Sequence, residues 1–282
     1  MLARAAHRTM GAMTTSTESQ ESFQIPPEAA EFYESAFVPA FFAQWAPILC
    51  QAAGVAPGQR VLDVACGTGI VTRTAADLLG PGGHAVGLDL NEAMLAVARR
   101  VRPDIEYRQG AADALPFEDG SFDAVLSQMA LMFFPDQRAA VGEMARVVAH
   151  GGTVGVLVPG PLDAQAAFAP FVELAARHAG AEAVALLSTY FACGDLEGLA
   201  GLVASAGLEV DVARTQMGTY RAPSVDAFVT TEVESTPLVQ RISTEVYQRI
   251  RVGAHQVLAP FTGTDGRVEA PFDCSLVTAR RP

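Results

Sequence analysis

The sequence contains no lysine, because all nineteen of its lysine-or-arginine positions are arginine. A lysine Schiff base and the lysine of a phosphate-binding P-loop are therefore excluded, and with them two large groups of enzymes. Thirty-one acidic residues bring the net charge to -12. Because a negative surface repels phosphate backbones and anionic lipid, we expect neither a nucleic-acid partner nor a membrane partner.

Cysteine is also scarce, and its four residues are scattered without a CxxC pair: Cys50, Cys66, Cys193 and Cys274. The pattern predicts neither a metal site nor a disulfide framework, and it favours a reducing, cytoplasmic location. No apolar run approaches the roughly 20 residues of a membrane span. The first residues lack the apolar stretch of a signal peptide, and residues 1–22 are expected to form a disordered tail.

Hydrophobic residues make up 50% of the chain and charged residues only 18%, so most of it is expected to be packed. From residue 57 onward, strand and helix signals alternate. The predicted strands are Val61–Ala65, His84–Leu88, Ile105–Gln109, Phe122–Ser127 and Thr153–Val158, and the predicted helices are Thr68–Leu79, Glu92–Arg100 and Gln137–Val147. Such alternation predicts parallel strands joined by right-handed helical crossovers.

The first predicted strand leads into a turn of small residues, VLDVACGTG (Val61–Gly69). Gly67 and Gly69 allow the backbone to approach a ligand that larger side chains would exclude. Asp89 stands at the carboxyl end of the second predicted strand, where a carboxylate can accept hydrogen bonds from two ribose hydroxyls. Because open parallel sheets bind ligands at this edge, the pattern predicts a cofactor that contains adenosine.

Two positions distinguish between the cofactors of this kind. A dinucleotide fingerprint requires a third glycine three positions after Gly69, and Thr72 stands there instead. Asp63 precedes Gly67 by four residues, where a carboxylate suits a cationic amino group better than a pyrophosphate. The pattern therefore favours S-adenosylmethionine over a nicotinamide dinucleotide.

Four segments follow in a characteristic order: VLDVACGTG, GLDLNEAML (Gly87–Leu95), GAADALPFEDGSFDAV (Gly110–Val125) and EMARVVAHGG (Glu143–Gly152). Together they resemble the class I S-adenosylmethionine-dependent methyltransferases, in the small-molecule branch that includes quinone-biosynthesis and natural-product enzymes. The sequence departs from the family at His150, where proline is usual. The resemblance implies an α/β fold with a Rossmann-like, doubly wound, seven-stranded, mostly parallel sheet and a helical region that covers the substrate.

On this fold the chain divides into five parts. Residues 1–22 are the tail, and residues 23–56 form an aromatic helical cap that is dense in phenylalanine. Residues 57–160 form the core that binds S-adenosylmethionine. Residues 161–207 form a helical cover, and residues 208–282 supply the C-terminal strands that complete the sheet around an inserted helical segment.

Carried over residue by residue, the resemblance implies a cofactor site along the strand ends. Asp63 and the backbone of the turn would hold the methionyl part, and Asp89 would hold the ribose. The full predicted set is Tyr33, Asp63, Ala65, Cys66, Gly67, Gly69, Asp89, Leu90, Met94, Ala112, Asp113, Ala114, Ser127 and Gln128. Asp113 could instead be a turn residue and Met94 an ordinary core residue. Cys66 is interpreted as a small turn residue rather than a nucleophile.

The catalytic residue is unknown from the sequence. Methyl transfer needs in-line approach of a nucleophile about 3 Å away, and little covalent machinery. If the acceptor is a hydroxyl, a base would help, and His178 and His255 are candidates. Tyr190 and Tyr33 are candidates for groups that orient the acceptor. Each histidine is equally well explained as a surface or packing residue. The acceptor pocket is expected at Phe42, Met129 and Phe134, in apolar surroundings.

The sequence thus predicts a methyltransferase that transfers a methyl group from S-adenosylmethionine to oxygen or carbon of an apolar or aromatic small molecule, by in-line SN2 displacement, with S-adenosylhomocysteine as product. The alternative is a non-catalytic protein that binds either nucleoside on the same fold, because a fold does not guarantee activity. The clustered acidic ligands of metal-dependent catechol methylation are missing after the fourth predicted strand, so we expect no metal. The oligomeric state stays open, with a homodimer among the options.

Overall fold

The structure is a computed structural model that describes residues 27–234, 236 and 238–282. The predicted tail at residues 1–22 and the first residues of the predicted cap, 23–26, lie outside the described residues. Within the described part of the chain, no helix combines the length and the hydropathy that crossing a membrane requires.

Seven strands form one sheet, and their bounds are β1 Arg60–Val64, β2 His84–Asp89, β3 Glu106–Gln109, β4 Phe122–Gln128, β5 Val148–Pro159, β6 Glu209–Ala222 and β7 Val268–Arg280. Their order across the sheet is β3-β2-β1-β4-β5-β7-β6. Neighbouring strands from β3 to β5 are parallel, and β7 is antiparallel to both β5 and β6. The predicted α/β architecture with a seven-stranded, mostly parallel sheet is confirmed.

The α-helices are α1 Pro27–Phe32, α2 Val38–Ala40, α3 Ala46–Ala52, α4 Ile70–Leu79, α5 Glu92–Val101, α6 Gln137–Val147, α7 Phe168–Ala179, α8 Ala181–Leu187, α9 Leu196–Ala204, α10 Val225–Glu234, α11 Leu238–Arg241 and α12 Thr244–Val257. Helix α5 begins as its sequence predicts, because the Asn91 side chain accepts hydrogen bonds from the backbone N–H groups of Ala93 and Met94.

The sheet is buried on both faces, because successive residues of its central strands enter different clusters. Val125 of β4 packs with Met144 of α6 on one face, whereas Leu126 packs with Leu49 of α3 on the other. Alternation of this kind explains why the central strands read as continuous hydrophobic runs.

Two predicted boundaries differ from the structure by more than one residue. Helix α4 begins at Ile70 rather than at Thr68, because Gly67 and Gly69 have φ angles of 54° and 86° and prolong the turn. Strand β5 begins at Val148 rather than at Thr153. Its register against β4 shifts before Thr153, in a stretch where Gly151 has a φ angle of 75°.

The N-terminal helices are fixed to the far edge of the sheet. The Gln44 side-chain amide donates to the Thr219 carbonyl of β6 at 2.8 Å, and its oxygen accepts from the Thr219 N–H at 3.0 Å. The Trp45 side chain is fully buried against Phe272 of β7. These contacts hold the predicted cap over the carboxyl ends of the strands.

Candidate functional site

A cavity of about 830 Å³ opens where the strand order reverses, between β1 and β4. Its strand-end half is lined by residues from the segments 63–67, 88–94 and 110–113, which end or follow β1, β2 and β3. Its aromatic half is formed by side chains from distant segments, namely Phe41, Phe42, Phe168, Tyr190, Tyr220, Glu232 and Phe272. Crevices at such reversal points are the usual ligand sites of open α/β sheets.

The turn after β1 places backbone rather than side chains at the cavity. Ala65 has a φ angle of 59°, a left-handed conformation that costs a non-glycine residue about 1 kcal/mol or more. A Cβ atom added to Gly67 would point toward the Tyr33 ring at 3.9 Å. The turn therefore leaves room for a ligand that lies against the main chain.

Asp63 is buried beneath this turn and anchors the following helix. Its Oδ2 accepts hydrogen bonds from the Thr72 N–H at 2.9 Å and from the Thr72 hydroxyl at 2.7 Å. Burial, and to a lesser extent the charge of Asp89, raises the pKa of the Asp63 carboxyl to about 7, against the hydrogen bonds from Thr72. Thr72 thus has a role where a dinucleotide fold would have its third glycine.

Asp89 closes the turn from the next strand. Its Oδ2 accepts from the Gly67 N–H at 2.8 Å, and its Oδ1 accepts from the Asn91 N–H at 2.8 Å. Burial raises the pKa of Asp89, and these backbone hydrogen bonds oppose the shift. Each oxygen keeps capacity for a second donor, as two ribose hydroxyls would require.

Cys66, also beside this turn, is buried, and burial raises the pKa of its thiol well above the ordinary value. A thiol held protonated is a poor nucleophile. The geometry agrees with its interpretation as a small turn residue.

A salt bridge that sequence reasoning missed ties the cap to the turn. Arg73 of α4 donates to Glu34 Oε1 at 2.7 Å and to the Thr68 carbonyl at 2.9 Å. Glu34 Oε2 is buried without a hydrogen-bond partner among the described residues. An acidic residue beside Tyr33 in a helical cap carries no sequence signal of its own, so only the tertiary structure reveals it.

The end of β4 supplies strain and unsatisfied polar atoms. Met129 lines the cavity with a φ angle of 56°. The Gln128 side-chain amide donates to the Phe42 carbonyl at 3.2 Å, while Gln128 Oε1 and Ser127 Oγ have no hydrogen-bond partner within the described chain. Strained and unsatisfied groups of this kind concentrate at functional sites.

Most of the predicted cofactor residues line the cavity: Tyr33, Asp63, Ala65, Cys66, Gly67, Asp89, Leu90, Met94, Ala112, Asp113 and Gln128. Gly69, Ala114 and Ser127 do not. A Cβ atom on Gly69 would meet the Tyr107 hydroxyl at 2.7 Å, so Gly69 serves the packing behind the turn. Asn91, which the prediction omitted, does line the cavity.

The predicted acceptor residues Phe42, Met129 and Phe134 all line the cavity, together with Tyr190. The two histidine candidates do not. His255 Nε2 lies 3.2 Å from Asp226 Oδ1 on the exposed side of α12, and His178 belongs to the last turn of α7. The geometry therefore gives neither histidine a place beside a bound acceptor.

Two polar residues of the aromatic half were missed. The Tyr220 hydroxyl of β6 donates to Glu232 Oε1 of α10 at 3.0 Å. Burial raises the pKa of Glu232 to about 7, and the hydrogen bond from Tyr220 partly offsets this. Neither residue lies near a recognisable motif, because each comes from a segment more than 100 residues after the glycine-rich turn.

Comparison with known proteins identifies the segment that contains this turn. Residues 62–156 match the family model described as a methyltransferase domain. This matched segment, about a third of the chain, is similar to a methyltransferase domain. A demethylmenaquinone methyltransferase of Renibacterium salmoninarum is 44% identical over 113 residues, which are 40% of this chain and 46% of that protein. The chain thus spans less than half of the length of the curated relatives that it matches.

Solved structures extend the likeness of fold beyond the methyltransferase domain. A putative methyltransferase from Bacillus halodurans has a TM-score of 0.59 at 22% sequence identity. The aligned region covers 84% of this chain and 98% of that protein. A phosphoethanolamine N-methyltransferase of Haemonchus contortus, in complex with phosphomonomethylethanolamine and S-adenosylhomocysteine, has a TM-score of 0.56 at 20% identity, over 91% of this chain and 57% of its own. Both likenesses concern the fold alone.

The boundaries of the methyltransferase domain coincide with a division of the cavity. The strand-end half lies within residues 62–156, whereas most of the aromatic half comes from residues outside the matched segment. The family match therefore bears on the strand-end half of the cavity and not on most of the aromatic half.

Proposed function

We propose that the protein transfers a methyl group from S-adenosylmethionine to oxygen or carbon of an apolar or aromatic small molecule, by in-line displacement. The observation that carries the proposal is one continuous cavity, in which the turn after β1 and the carboxylate of Asp89 meet an aromatic half. A methyl donor on the turn would face an acceptor among the rings.

The residues present fit S-adenosylmethionine, which supplies an electrophilic methyl group on a positively charged sulfur. The side chains that line the cavity include four acids and, among the described residues, no arginine and no histidine: the acids are Asp63, Asp89, Asp113 and Glu232. Such a lining favours a ligand of net positive charge. The partnerless atom Gln128 Oε1, on a side chain that lines the cavity, would gain a donor from a polar ligand.

In this assignment Asp89 would hold the ribose hydroxyls, and Leu90 with Met94 would pack on the adenine. The backbone of residues 65–67, with Gln128, would hold the methionyl part. The buried carboxyl of Asp63 would act through Thr72 by fixing the turn, in addition to the role beside the amino group that the sequence predicts. These residues bind and orient, which is the main task of a methyltransferase.

The aromatic half supports the proposed acceptor. Tyr33, Phe42 and Phe41 form a continuous series of rings with centroid separations of 4.9 Å and 5.1 Å. Such walls bind apolar and aromatic molecules, exclude water and orient them by edge contacts. We further infer that the sheet is Rossmann-like and doubly wound, and that residues 161–207 cover the acceptor, since Phe168, Tyr190 and Phe191 line the cavity from this segment.

The experiment is calorimetric titration of the protein with S-adenosylmethionine, S-adenosylhomocysteine and NAD, followed by a methyl-transfer screen over neutral phenols, hydroquinones and hydroxylated lipids. We expect both sulfur nucleosides to bind more tightly than NAD and at least one acceptor class to be methylated. Binding without any turnover would support the alternative of a non-catalytic binder. Tighter binding of NAD would overturn the proposal. Cytoplasmic location, metal independence and the lack of nucleic-acid or membrane partners stay predictions.

A further inference from the structure

A carboxylate that is not among the groups assigned to the cofactor lines the aromatic half of the cavity. Glu232 belongs to the last turn of α10, and its side chain lines the same cavity as Gly67 and Asp89. The Tyr220 hydroxyl donates to Glu232 Oε1 at 3.0 Å. The carboxylate is thus oriented from β6, and its second oxygen is available for another donor.

Aromatic contacts connect the two halves of the cavity. Phe41 lies 5.5 Å from the Tyr220 ring and 5.1 Å from the Phe42 ring, and Phe42 lies 4.9 Å from Tyr33 beside the turn. Burial is the main cause that raises the pKa of Tyr33 and of Tyr220, and proximity of the Tyr190 hydroxyl contributes to both shifts. Tyr190 lines the same cavity, so the aromatic lining continues from Tyr33 beside the turn to Tyr220 and Glu232.

The ionisable groups packed around Glu232 leave it without a cationic partner in the cavity. On α10 and α12, Asp226 pairs with Arg251 and His255, and Glu234 accepts from the Tyr247 hydroxyl. On α11, Arg241 pairs with Glu182 of α8. Facing Glu232 from β6 is Tyr220, and the charged groups that share its cavity are the acids Asp63, Asp89 and Asp113.

Burial raises the pKa of Glu232 to about 7, with the Tyr220 hydrogen bond acting in the opposite direction. A general base works best when its pKa lies near the operating pH. Glu232 is therefore protonated and inactive as a base in acid, and it becomes a proton acceptor as the pH rises through 7.

Resting on the proposed function, we infer that Glu232 is the general base of this site and that it removes a proton from a hydroxyl group of an uncharged aromatic acceptor. Tyr220 is a positioning residue that orients the carboxylate. The acceptor oxygen forms its bond to the methyl carbon while the bond from that carbon to sulfur breaks. The electron pair of the broken bond stays on sulfur, and the hydroxyl proton goes to the Glu232 carboxylate.

The acidic lining of the cavity also favours an acceptor without negative charge. A carboxylate or phosphate on the acceptor would meet Glu232 and Asp89 without a compensating arginine among the lining residues. A neutral phenol or hydroquinone avoids this cost. An amine acceptor would instead use Glu232 as a counter-ion, and the experiment below separates the two cases.

The test uses three probes on one ring system: 2-naphthol, 2-naphthylmethylamine and 2-naphthoate. Each is titrated by calorimetry at pH 5.5, 7.0 and 8.5 into wild type, Glu232→Gln and the matched control Glu234→Gln, with and without S-adenosylhomocysteine. Glu234 is a suitable control because it also accepts a tyrosine hydroxyl, that of Tyr247 at 2.9 Å, and does not line the cavity.

We expect 2-naphthol to bind wild type and Glu234→Gln about tenfold more tightly at pH 8.5 than at pH 5.5, since the ionised carboxylate makes the stronger hydrogen bond. In Glu232→Gln this pH dependence is lost. With S-adenosylmethionine, kcat toward 2-naphthol falls about 100-fold or more in Glu232→Gln, the range of general base catalysis, with the KM for the methyl donor unchanged. Tyr220→Phe shifts the pH profile and keeps part of the rate.

Three outcomes overturn the inference. The first is a pH dependence of 2-naphthol binding that survives in Glu232→Gln. The second is tightest binding of the amine, abolished in Glu232→Gln, which would make Glu232 a counter-ion. The third is failure of 2-naphthol to bind, or equal binding of 2-naphthoate. Failure of S-adenosylhomocysteine to bind would refute the proposed function by itself. Because the titrations are also run without the nucleoside, the effect of Glu232→Gln on 2-naphthol binding would still be measured in that case.

Discussion

The two halves of the cavity are built in different ways. The strand-end half draws on residues 63–67, 88–94 and 110–113, and the turn meets a ligand mainly with its backbone. The aromatic half draws single side chains from the cap, from residues 168–191, from β6, from α10 and from β7. The difference teaches that a ligand held by main chain leaves a compact motif in the sequence, whereas one held by distant side chains does not.

The largest expected effect tests the strand-end half. Asp89→Ala removes the proposed ribose acceptor and the partner of the Gly67 N–H. Hydrogen bonds to a charged group contribute about 1.5 to 3 kcal/mol each. We expect the Kd for S-adenosylmethionine in calorimetry to rise about 100-fold, or about 2.7 kcal/mol.

Glu232→Gln is the control for this comparison, because it should leave the nucleoside affinity unchanged. A melting curve close to that of wild type would verify that Asp89→Ala folds. Unchanged nucleoside affinity in folded Asp89→Ala would show that the strand-end half is not the cofactor site.

A second test concerns the buried carboxyl beneath the turn. The pKa of Asp63 rises from its ordinary 3.8 to about 7, so the fold favours the protonated form. The contribution of the protonated Asp63 carboxyl to the free energy of unfolding is fully present below about pH 4 and is lost as the pH rises toward 7. The free energy of unfolding of the ligand-free wild type should therefore fall between pH 4.5 and pH 7.5. We expect this fall to be smaller in Asp63→Asn by about 2 kcal/mol.

Asp226→Asn gives a control of opposite sign. Hydrogen bonding to Arg251 is the main cause that lowers the pKa of Asp226 to about 2. Its contribution is therefore present above about pH 4 and is lost in more acidic solution. Asp226→Asn should lower the free energy of unfolding equally at the two pH values of the Asp63→Asn experiment. A change in the pH dependence of stability in Asp226→Asn would contradict the assignment of that dependence to Asp63.

A third test asks how far the turn depends on its backbone conformation. In Gly69→Ala the new Cβ atom meets the Tyr107 hydroxyl at 2.7 Å. The alanine must also adopt the φ angle of 86° that Gly69 has. We expect the free energy of unfolding, measured with urea, to fall by about 1 to 2 kcal/mol. Gly201→Ala in α9, where no atom lies within 4 Å, should instead raise it by up to about 1 kcal/mol.

The smallest expected effect sharpens the separation of the halves. Phe42→Ala removes a ring that contacts Tyr33 and Phe41. Since aromatic pairs contribute about 0.5 to 1.5 kcal/mol, we expect 2-naphthol binding to weaken about threefold to tenfold with little change for S-adenosylmethionine. Phe117→Ala, whose ring packs on Phe122 away from the cavity, should change neither affinity. Equal weakening of both ligands by Phe42→Ala would merge the two halves into one site.

The success of the sequence-based predictions follows the same division. Helix α5 begins at Glu92 as predicted, after its cap Asn91, and most of the predicted cofactor residues meet at one cavity. Glycine-rich turns and caps act over a few neighbouring residues. The predicted base candidates His178 and His255 lie off the cavity, whereas Tyr220 and Glu232 meet there unforeseen. Nothing in the local sequence distinguishes a glutamate that faces a cavity from one that faces solvent.

By itself, the sequence determined the alternation of strands and helices, the turn after β1 and the carboxylate at the end of β2, since each depends on contacts between residues close in the chain. The tertiary structure alone decided that Arg73 joins Glu34 to the turn, and that Glu232 and Tyr220 complete the aromatic half. Burial shifts a carboxyl pKa only once distant segments have excluded water, and that exclusion is a property of the packed molecule.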